Sequence, residues 1–361
     1  MDKYKNLVLE VKPDLVQLPL HIYQPSIDVC KEVVDSGTKL IGKLVLPKNT
    51  VQVPKNHFAD MFKKYNGLIS IWDFGGEPET RPDQAGCRFG GSPKQFVDLM
   101  SAFYYTGKEI DPENTIGGCG WITPTFNGLL GNDDRSGFLR ECLGYWIGDV
   151  LDFVSLNFYV YGYGGTKNIF VGMGKVNELL ATWEVSKPIV VSEFGVPCSG
   201  DPAFYHIIQT PERQAVSLLE QNILFNSMGI DYSIWFALQY EGWGLVAESG
   251  EKRPSYHVMQ TMMRMLKGSI YQKQIKALPS RSVEERWITD KVQWHVFNKG
   301  AQDVHVVWLT GGYSLVRKAP PGAIFYNMYG EELLNEVLVD TYPKYMVTDA
   351  GQVGQKDFMM R

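Results

Sequence analysis

Residues 68–79, LISIWDFGGEPE, and residues 188–197, PIVVSEFGVP, share one layout: a short run rich in β-branched and aromatic residues that leads to a glutamate with Gly and Pro close by. Such a run reads as a strand buried on both faces, and the Gly and Pro mark where it gives way to a loop. Glu77 and Glu193 are therefore expected at one rim of a sheet, each carried there by its own strand.

Similar runs recur on either side: DLVQLPL, KLIGKLVL, TIGGCGWI, DFVSLNFYVY and DYSIWFAL, with amphipathic stretches between them up to about residue 266. That alternation predicts βα units around a parallel sheet. Ser92 before Pro93 and Thr210 before Pro211 each offer an N-cap hydroxyl followed by proline at the first helical position. Ser255 reads as a similar start for the Met-rich stretch YHVMQTMMRML, whose apolar face is packing surface.

The count is seven strands, one short of a (β/α)8 TIM barrel. The LVLEV near the amino terminus does not supply the eighth. Only Lys12 and Pro13 separate it from DLVQLPL, whereas a parallel crossover needs about a dozen residues. Tyr4, Leu7, Val8 and Val11 also follow the spacing of a helix face. Residues 2–12 therefore read as the first barrel helix, and the chain is either a fragment lacking the first barrel strand or a barrel with an unusual closure. After residue 269, VQWHVFN, VHVVWLT, AIFY and YPKYMVT alternate with Gly- and Asn-containing turns, the texture of a small antiparallel β-sandwich. The expected organisation is a barrel over 1–268 and an accessory sandwich over 269–361, with KALPSRSVEE the nearest thing to a linker. Trp287, Trp294 or Trp308, set among apolar strand residues, is expected to pack the sandwich on the barrel rather than to bind sugar independently.

With 361 residues and 44% hydrophobic content the chain can bury one large core and a second small one. Its net charge is −5 with acids and bases interspersed, and no Lys/Arg cluster offers a track for a phosphate backbone, which argues against nucleic acid. Nine Trp and nineteen Tyr suit platforms for sugar rings as well as core. The cysteines, at 30, 87, 119, 142 and 198, have no metal or CxxC spacing and read as reduced thiols. His21 and His206 lie near strand ends, but neither has a spaced partner, so no metal is expected. GGTKNIFVGMG lacks the order of a phosphate loop. No eighteen apolar residues run together, and MDKYKNLVLEVKPDL shows no leader. The chain as given thus reads as non-membrane and cytoplasmic by default, unless its natural start has been removed.

Two carboxylates at one end of a parallel sheet suit glycoside hydrolysis, metal binding or acid/base work on another substrate. The bland alternative is that each glutamate merely accepts hydrogen bonds or pairs with a base such as Arg81 or Arg88.

IWDFGGEPE resembles the strand-four motif of the retaining glycoside hydrolases of clan A, of the β-xylosidase-like, family 39 type, in which the glutamate is the general acid/base. IVVSEFG resembles the strand-seven motif that carries the nucleophile. DFVSLNFYVY is similar to strand six of the clan, and SIWFALQYEGWG to strand eight. The resemblance covers roughly residues 12 to 266. It implies an O-glycosyl hydrolase, with an oligo- or polysaccharide substrate and no cofactor. Glu77 would be the acid/base, Glu193 the nucleophile and Tyr159 the residue that orients it. Trp235 would be a sugar platform, with Asn157, Trp121, Trp243 and His21 as further substrate contacts. Two departures stand out: Gly76 where the clan has an asparagine that meets the sugar 2-hydroxyl, and Asn157 where strand six usually has histidine. They keep open a second reading, a degenerate barrel that binds carbohydrate without cleaving it.

Overall fold

The computed structural model describes residues 4–20, 24–46, 52–79, 89–122, 135–159, 165–200, 208–275, 291–334 and 336–352. The first part runs α1 (Lys5–Val11), β1 (Leu15–Pro19), α2 (Ile27–Asp35), β2 (Lys39–Leu44), α3 (Lys55–Lys64), β3 (Ile71–Phe74), α4 (Pro93–Ile110) and β4 (Thr115–Ile122). It continues with α5 (Arg135–Gly144), β5 (Val154–Asn157), α6 (Gly165–Thr182), β6 (Ile189–Phe194), α7 (Pro211–Ser227), β7 (Tyr232–Trp235) and α8 (Pro254–Leu266). The seven strands pair in chain order and in parallel, with β1 and β7 at the two edges. Those edges approach each other, so the described strands make a nearly closed TIM-type barrel. Residues 5–11 are helical, as their spacing predicts, and bury Val8 and Val11. Among the described residues no helix is long and apolar enough to cross a membrane.

The interior is built in layers because inward positions recur every second residue along a strand. Ile41 of β2, Ile71 of β3, Phe153 before β5 and Val190 of β6 form one apolar cluster, joined by Leu15, Tyr232 and Ile234. Two residues further along β1, β2, β3 and β5 the same parity gives Gln17, Lys43, Asp73 and Ser155. An apolar floor thus carries a polar layer toward the carboxyl ends of the strands.

Two helix starts follow the sequence. The Ser92 hydroxyl accepts from Gln95 N, and the Gln95 side chain accepts from Ser92 N in return, a complete capping box on α4. Thr210 accepts from Arg213 N at 3.1 Å. The start of α8 differs from the expectation. Arg253 is its cap residue and Pro254 its first residue. Ser255 is buried instead, and its hydroxyl donates to Gln214 Oε1 at 2.8 Å.

The chain divides into two compact units, residues 1–196 with 230–236, and residues 197–229 with 237–361. The second groups α7 and α8 with seven antiparallel strands: β8 (Ile270–Gln274), β9 (Val292–Lys299), β10 (Gln302–Leu309), β11 (Leu315–Lys318), β12 (Ile324–Tyr326), β13 (Glu336–Val339) and β14 (Lys344–Asp349). A five-stranded sheet, β12-β14-β10-β9-β8, faces the β11-β13 pair. Between them Trp294, Val296, Val307, Phe325, Val337, Val339 and Met346 form the sandwich core. Lys299 Nζ caps α8 by donating to the carbonyls of Arg264 (2.7 Å) and Met265 (3.1 Å). Trp287 and the KALPSRSVEE stretch lie outside the described residues.

Two buried histidines make this unit sensitive to acid. An indole N–H can only donate, so the 2.9 Å bond from Trp294 Nε1 to His305 Nδ1 requires a lone pair there. The proton of His305 therefore sits on Nε2, which faces Thr348 Oγ1 at 3.3 Å. His295 stacks on Trp308 with ring centroids 5.2 Å apart. Burial pulls both imidazoles down from 6.5 to about 4. A group whose folded-state pKa is depressed stabilises the fold above its unfolded value and loses that contribution as pH falls through the folded one. Between pH 6.5 and about 4 each histidine should forfeit on the order of 2–3 kcal/mol. Urea melts followed by tryptophan fluorescence should show this loss, and a His295→Gln/His305→Gln variant should flatten the pH dependence.

Candidate active site

The polar layer begins with a charge that the strand has to neutralise. Lys43 Nζ lies 2.7 Å from Glu193 Oε1 and 3.8 Å from Asp73 Oδ2. Lys43 and Asp73 are register partners on β2 and β3, and both side chains are almost wholly buried. Asp73 accepts from Ser155 Oγ at 2.7 Å and from Gln17 Nε2 at 3.3 Å. Burial alone would pull the Lys43 ammonium down, but the Glu193 and Asp73 carboxylates outweigh it and hold the group above its usual range. Burial raises Asp73, and the Lys43 charge and the Ser155 hydrogen bond only partly offset it.

Glu193 is gripped on both oxygens. Lys43 takes Oε1, and the Tyr159 hydroxyl donates to Oε2 at 2.9 Å. Glu77 is held differently. Asn157 Nδ2 donates to its Oε1 at 3.1 Å, and the amide is fixed in that sense because Asn157 Oδ1 accepts from Ser192 Oγ at 3.0 Å. Asn157 and Glu193 are also register partners across β5 and β6. One strand end, Asn157 to Tyr159, thus serves both glutamates.

The backbone at Glu77 is strained, with φ at 54°. A side-chain-bearing residue costs roughly 1–2 kcal/mol in that region, so its neighbours must hold it. The glycine-rich β4 does so. Its register breaks between Gly118 and Trp121, and Cys119 (φ 92°) and Gly120 (φ 51°) both have positive φ. This irregularity turns the Gly120 carbonyl toward Glu77, whose N–H donates to it at 3.0 Å. Gly120 N donates to Ser155 Oγ at 2.7 Å, tying the same turn to Asp73. The approach needs glycine: a Cβ at 118 would fall 2.2 Å from Phe74 O, and one at 120 only 3.1 Å from Gly76 Cα.

Of the residues expected from sequence, the structure brings Glu77, Glu193, Asn157 and Tyr159 together. Trp235 is buried on β7 with its ring edge-on to Phe194 at 5.2 Å, beside the nucleophile candidate. Trp121 is buried too, 2% exposed, and its indole nitrogen has no hydrogen-bond partner. Trp243 is buried in the second compact unit. His21, Arg81 and Arg88 lie outside the described residues, as do most of the loops after β3 and β4. Sequence reasoning missed Lys43, Asp73, Ser155 and Gln17. Their signal was present: a charge in KLIGKL and in IWDF, strands otherwise buried on both faces, is unusual enough to ask for a partner.

No protein-family model matches the chain, and no curated protein matches it in sequence. Solved structures do resemble it. A family 39 glycoside hydrolase from Bacteroides cellulosilyticus WH2 superposes with a TM-score of 0.70 at 15% identity, over 96% of this chain and 78% of that one. A glucosidase from Croceicoccus marinus gives 0.69 at 12% identity, over 96% and 92%. The family 51 α-L-arabinofuranosidase AbfB from Bifidobacterium longum gives 0.63 at 11%, over 96% and 89%. The fold is that of the clan A glycoside hydrolases. That fold covers both the barrel and the antiparallel strands after it, matching the architecture read from sequence.

Gly120→Ala should separate contact from conformation at this site. Gly37 also has positive φ, 86°, but a Cβ there would meet nothing within 4 Å. Gly37→Ala should cost about 1 kcal/mol, and Gly120→Ala about 2 kcal/mol or more. Denaturant melts that gave equal losses would refute the crowding argument.

Proposed function

We propose that this chain is a retaining glycoside hydrolase in which Glu193 is the nucleophile and Glu77 the general acid/base, with catalysis in residues 1–268 and 269–361 as an accessory domain. The observation that carries this reading is that one strand end, through Asn157 and Tyr159, holds both glutamates in one site. Glu193 meets an ammonium on one oxygen and a phenol on the other, the surroundings of an anion that must attack. Glu77 meets the neutral amide of Asn157 on a strained turn, which suits a group that gives up a proton and takes one back.

In the first step a Glu193 oxygen bonds to the anomeric carbon as the bond to the leaving oxygen breaks, and that oxygen takes the proton of Glu77. In the second step Glu77 removes a proton from water. The water oxygen bonds to the anomeric carbon, and Glu193 leaves as carboxylate. Two displacements at one carbon retain its configuration. The fold likeness to a family 39 enzyme, a glucosidase and an arabinofuranosidase supports a glycoside substrate without selecting one sugar. Gly76, with no side chain to meet a sugar hydroxyl, is what favours the second reading of a barrel that binds carbohydrate and does not cleave it.

A panel of aryl glycosides and polysaccharides, assayed for released product, separates the two. On a substrate that is cleaved, Glu193→Ala should lower kcat by about 10⁴-fold or more, and azide should restore turnover as a glycosyl azide of inverted configuration. Unchanged activity in Glu193→Ala would remove the assignment. Glu77→Gln should slow natural glycosides by about 10²–10⁴-fold yet spare much of the first step with activated aryl leaving groups, since a good leaving group needs no proton. Equal losses on both substrate types would argue against the acid/base role.

A further inference from the structure

We infer that Lys43 is a positioning residue of this site: it sets the orientation of Glu193 from beneath. The inference rests on the glycosidase reading and adds to it a residue that the sequence motifs do not mark.

Three observations converge. First, Lys43 lies in a strand whose other described side chains from Leu40 to Leu44 are buried and apolar, and it keeps its charge there only through the carboxylates of Glu193 and Asp73. The lysine side chain is 3% exposed and that of Glu193 is 18% exposed, so the cation sits on the inner side of the pair and leaves the outer side of the carboxylate to the substrate. Second, a Cβ at Gly76 would meet Val45 Cγ2 at 3.0 Å and Lys43 Cε at 3.7 Å. The lysine stem thus lies within ordinary contact distance of residue 76, and Val45 is the neighbour that would crowd a side chain there. Third, Asp73 gives Lys43 a second anion, itself steadied by Ser155 and Gln17.

That second anion has a use in the reaction. When Glu193 forms an ester with the anomeric carbon it gives up its negative charge, and an ammonium paired with it alone would be left buried and uncompensated. Asp73 removes that penalty, because Lys43 can shift its pairing from Glu193 to Asp73 while the glycosyl-enzyme persists and return when the ester is hydrolysed. No proton moves from Lys43 in either step. The ionisable groups that meet here are Lys43 of β2, Asp73 of β3, Glu77 after β3, Tyr159 after β5 and Glu193 of β6. Among the described residues, removing the Lys43 ammonium leaves Glu193 in the company of two carboxylates.

The test uses an activated aryl glycoside, whose leaving group needs no acid and so reports on Glu193 rather than Glu77. Lys43→Met should lower kcat/KM by about 100-fold. It should also move the acid limb of the kcat/KM profile upward, because the site then keeps the carboxylates of Asp73 and Glu77 without the ammonium that faces them. Lys43→Arg, which keeps the charge, should hold the limb in place and retain more activity. A folded Lys43→Met variant with wild-type rate and acid limb would overturn the proposal. If Lys43→Met does not fold, Lys43→Arg decides: a folded arginine variant whose limb moves upward would equally overturn it. A wild type that cleaves no glycoside and is not labelled at Glu193 by 2-deoxy-2-fluoro glycosides would remove the glycosidase reading, and the role of Lys43 with it. A wild type that turns over while Lys43→Met is unaffected would remove only the role of Lys43.

Discussion

A single ammonium buried in the barrel interior organises the arrangement around it. Lys43 is almost wholly buried, so its charge needs carboxylates within reach, and they include Asp73 on the neighbouring strand and Glu193. Asp73 is buried in turn and needs its own donors, which Ser155 and Gln17 supply. The interior of β1, β2, β3 and β5 thus changes from apolar to polar one pleat above the Ile41–Ile71–Phe153 cluster. Glu193 is the outermost member of this network, and its orientation is inherited from the layers below it. A surface carboxylate has several rotamers open to it, whereas one bonded on each oxygen by a different strand's side chain has few.

Glu77 reaches the same place by a different route. The backbone does much to set its position. The irregular β4 turn, with Cys119 and Gly120 at positive φ, carries a carbonyl to the Glu77 N–H, and the strain at Glu77 is held there by that bond and by Asn157. The run Gly117–Gly118 lets β4 lie against Phe74 and Phe153 more closely than any side chain would allow. The glycines of TIGGCGWI thereby help to set the position of Glu77. The thiol between them, Cys119, is pushed well above its ordinary range by burial and takes no part in ionic chemistry.

The second compact unit handles buried polar groups by the opposite strategy. Its two interior histidines are kept neutral, one by a tautomer that Trp294 dictates. The barrel buries a charge and surrounds it with counter-charges, while the sandwich buries the same kind of titratable group and suppresses its charge.

The sequence by itself determined the strands, their parallel order, the helix caps at Ser92 and Thr210 and the placement of two glutamates at strand ends, because these depend on periodicity and on residues adjacent in the chain. The helical reading of residues 2–12 and the seven-strand count came from the same local signals. Asn157 and Tyr159 were legible only through resemblance, since nothing local distinguishes them from core residues. The start of α8 was misread because the Ser255 hydroxyl bonds to Gln214, 41 positions away, and not to its own helix. Lys43, Asp73, Ser155 and Gln17 were not legible as a group. Each belongs to a different strand, and their meeting depends on register and on inward parity, which only the closed packing of the sheet decides. The same holds for Gly76. In sequence it is a missing asparagine, and only the fold shows that Val45 and the stem of Lys43, from another strand, lie beside it.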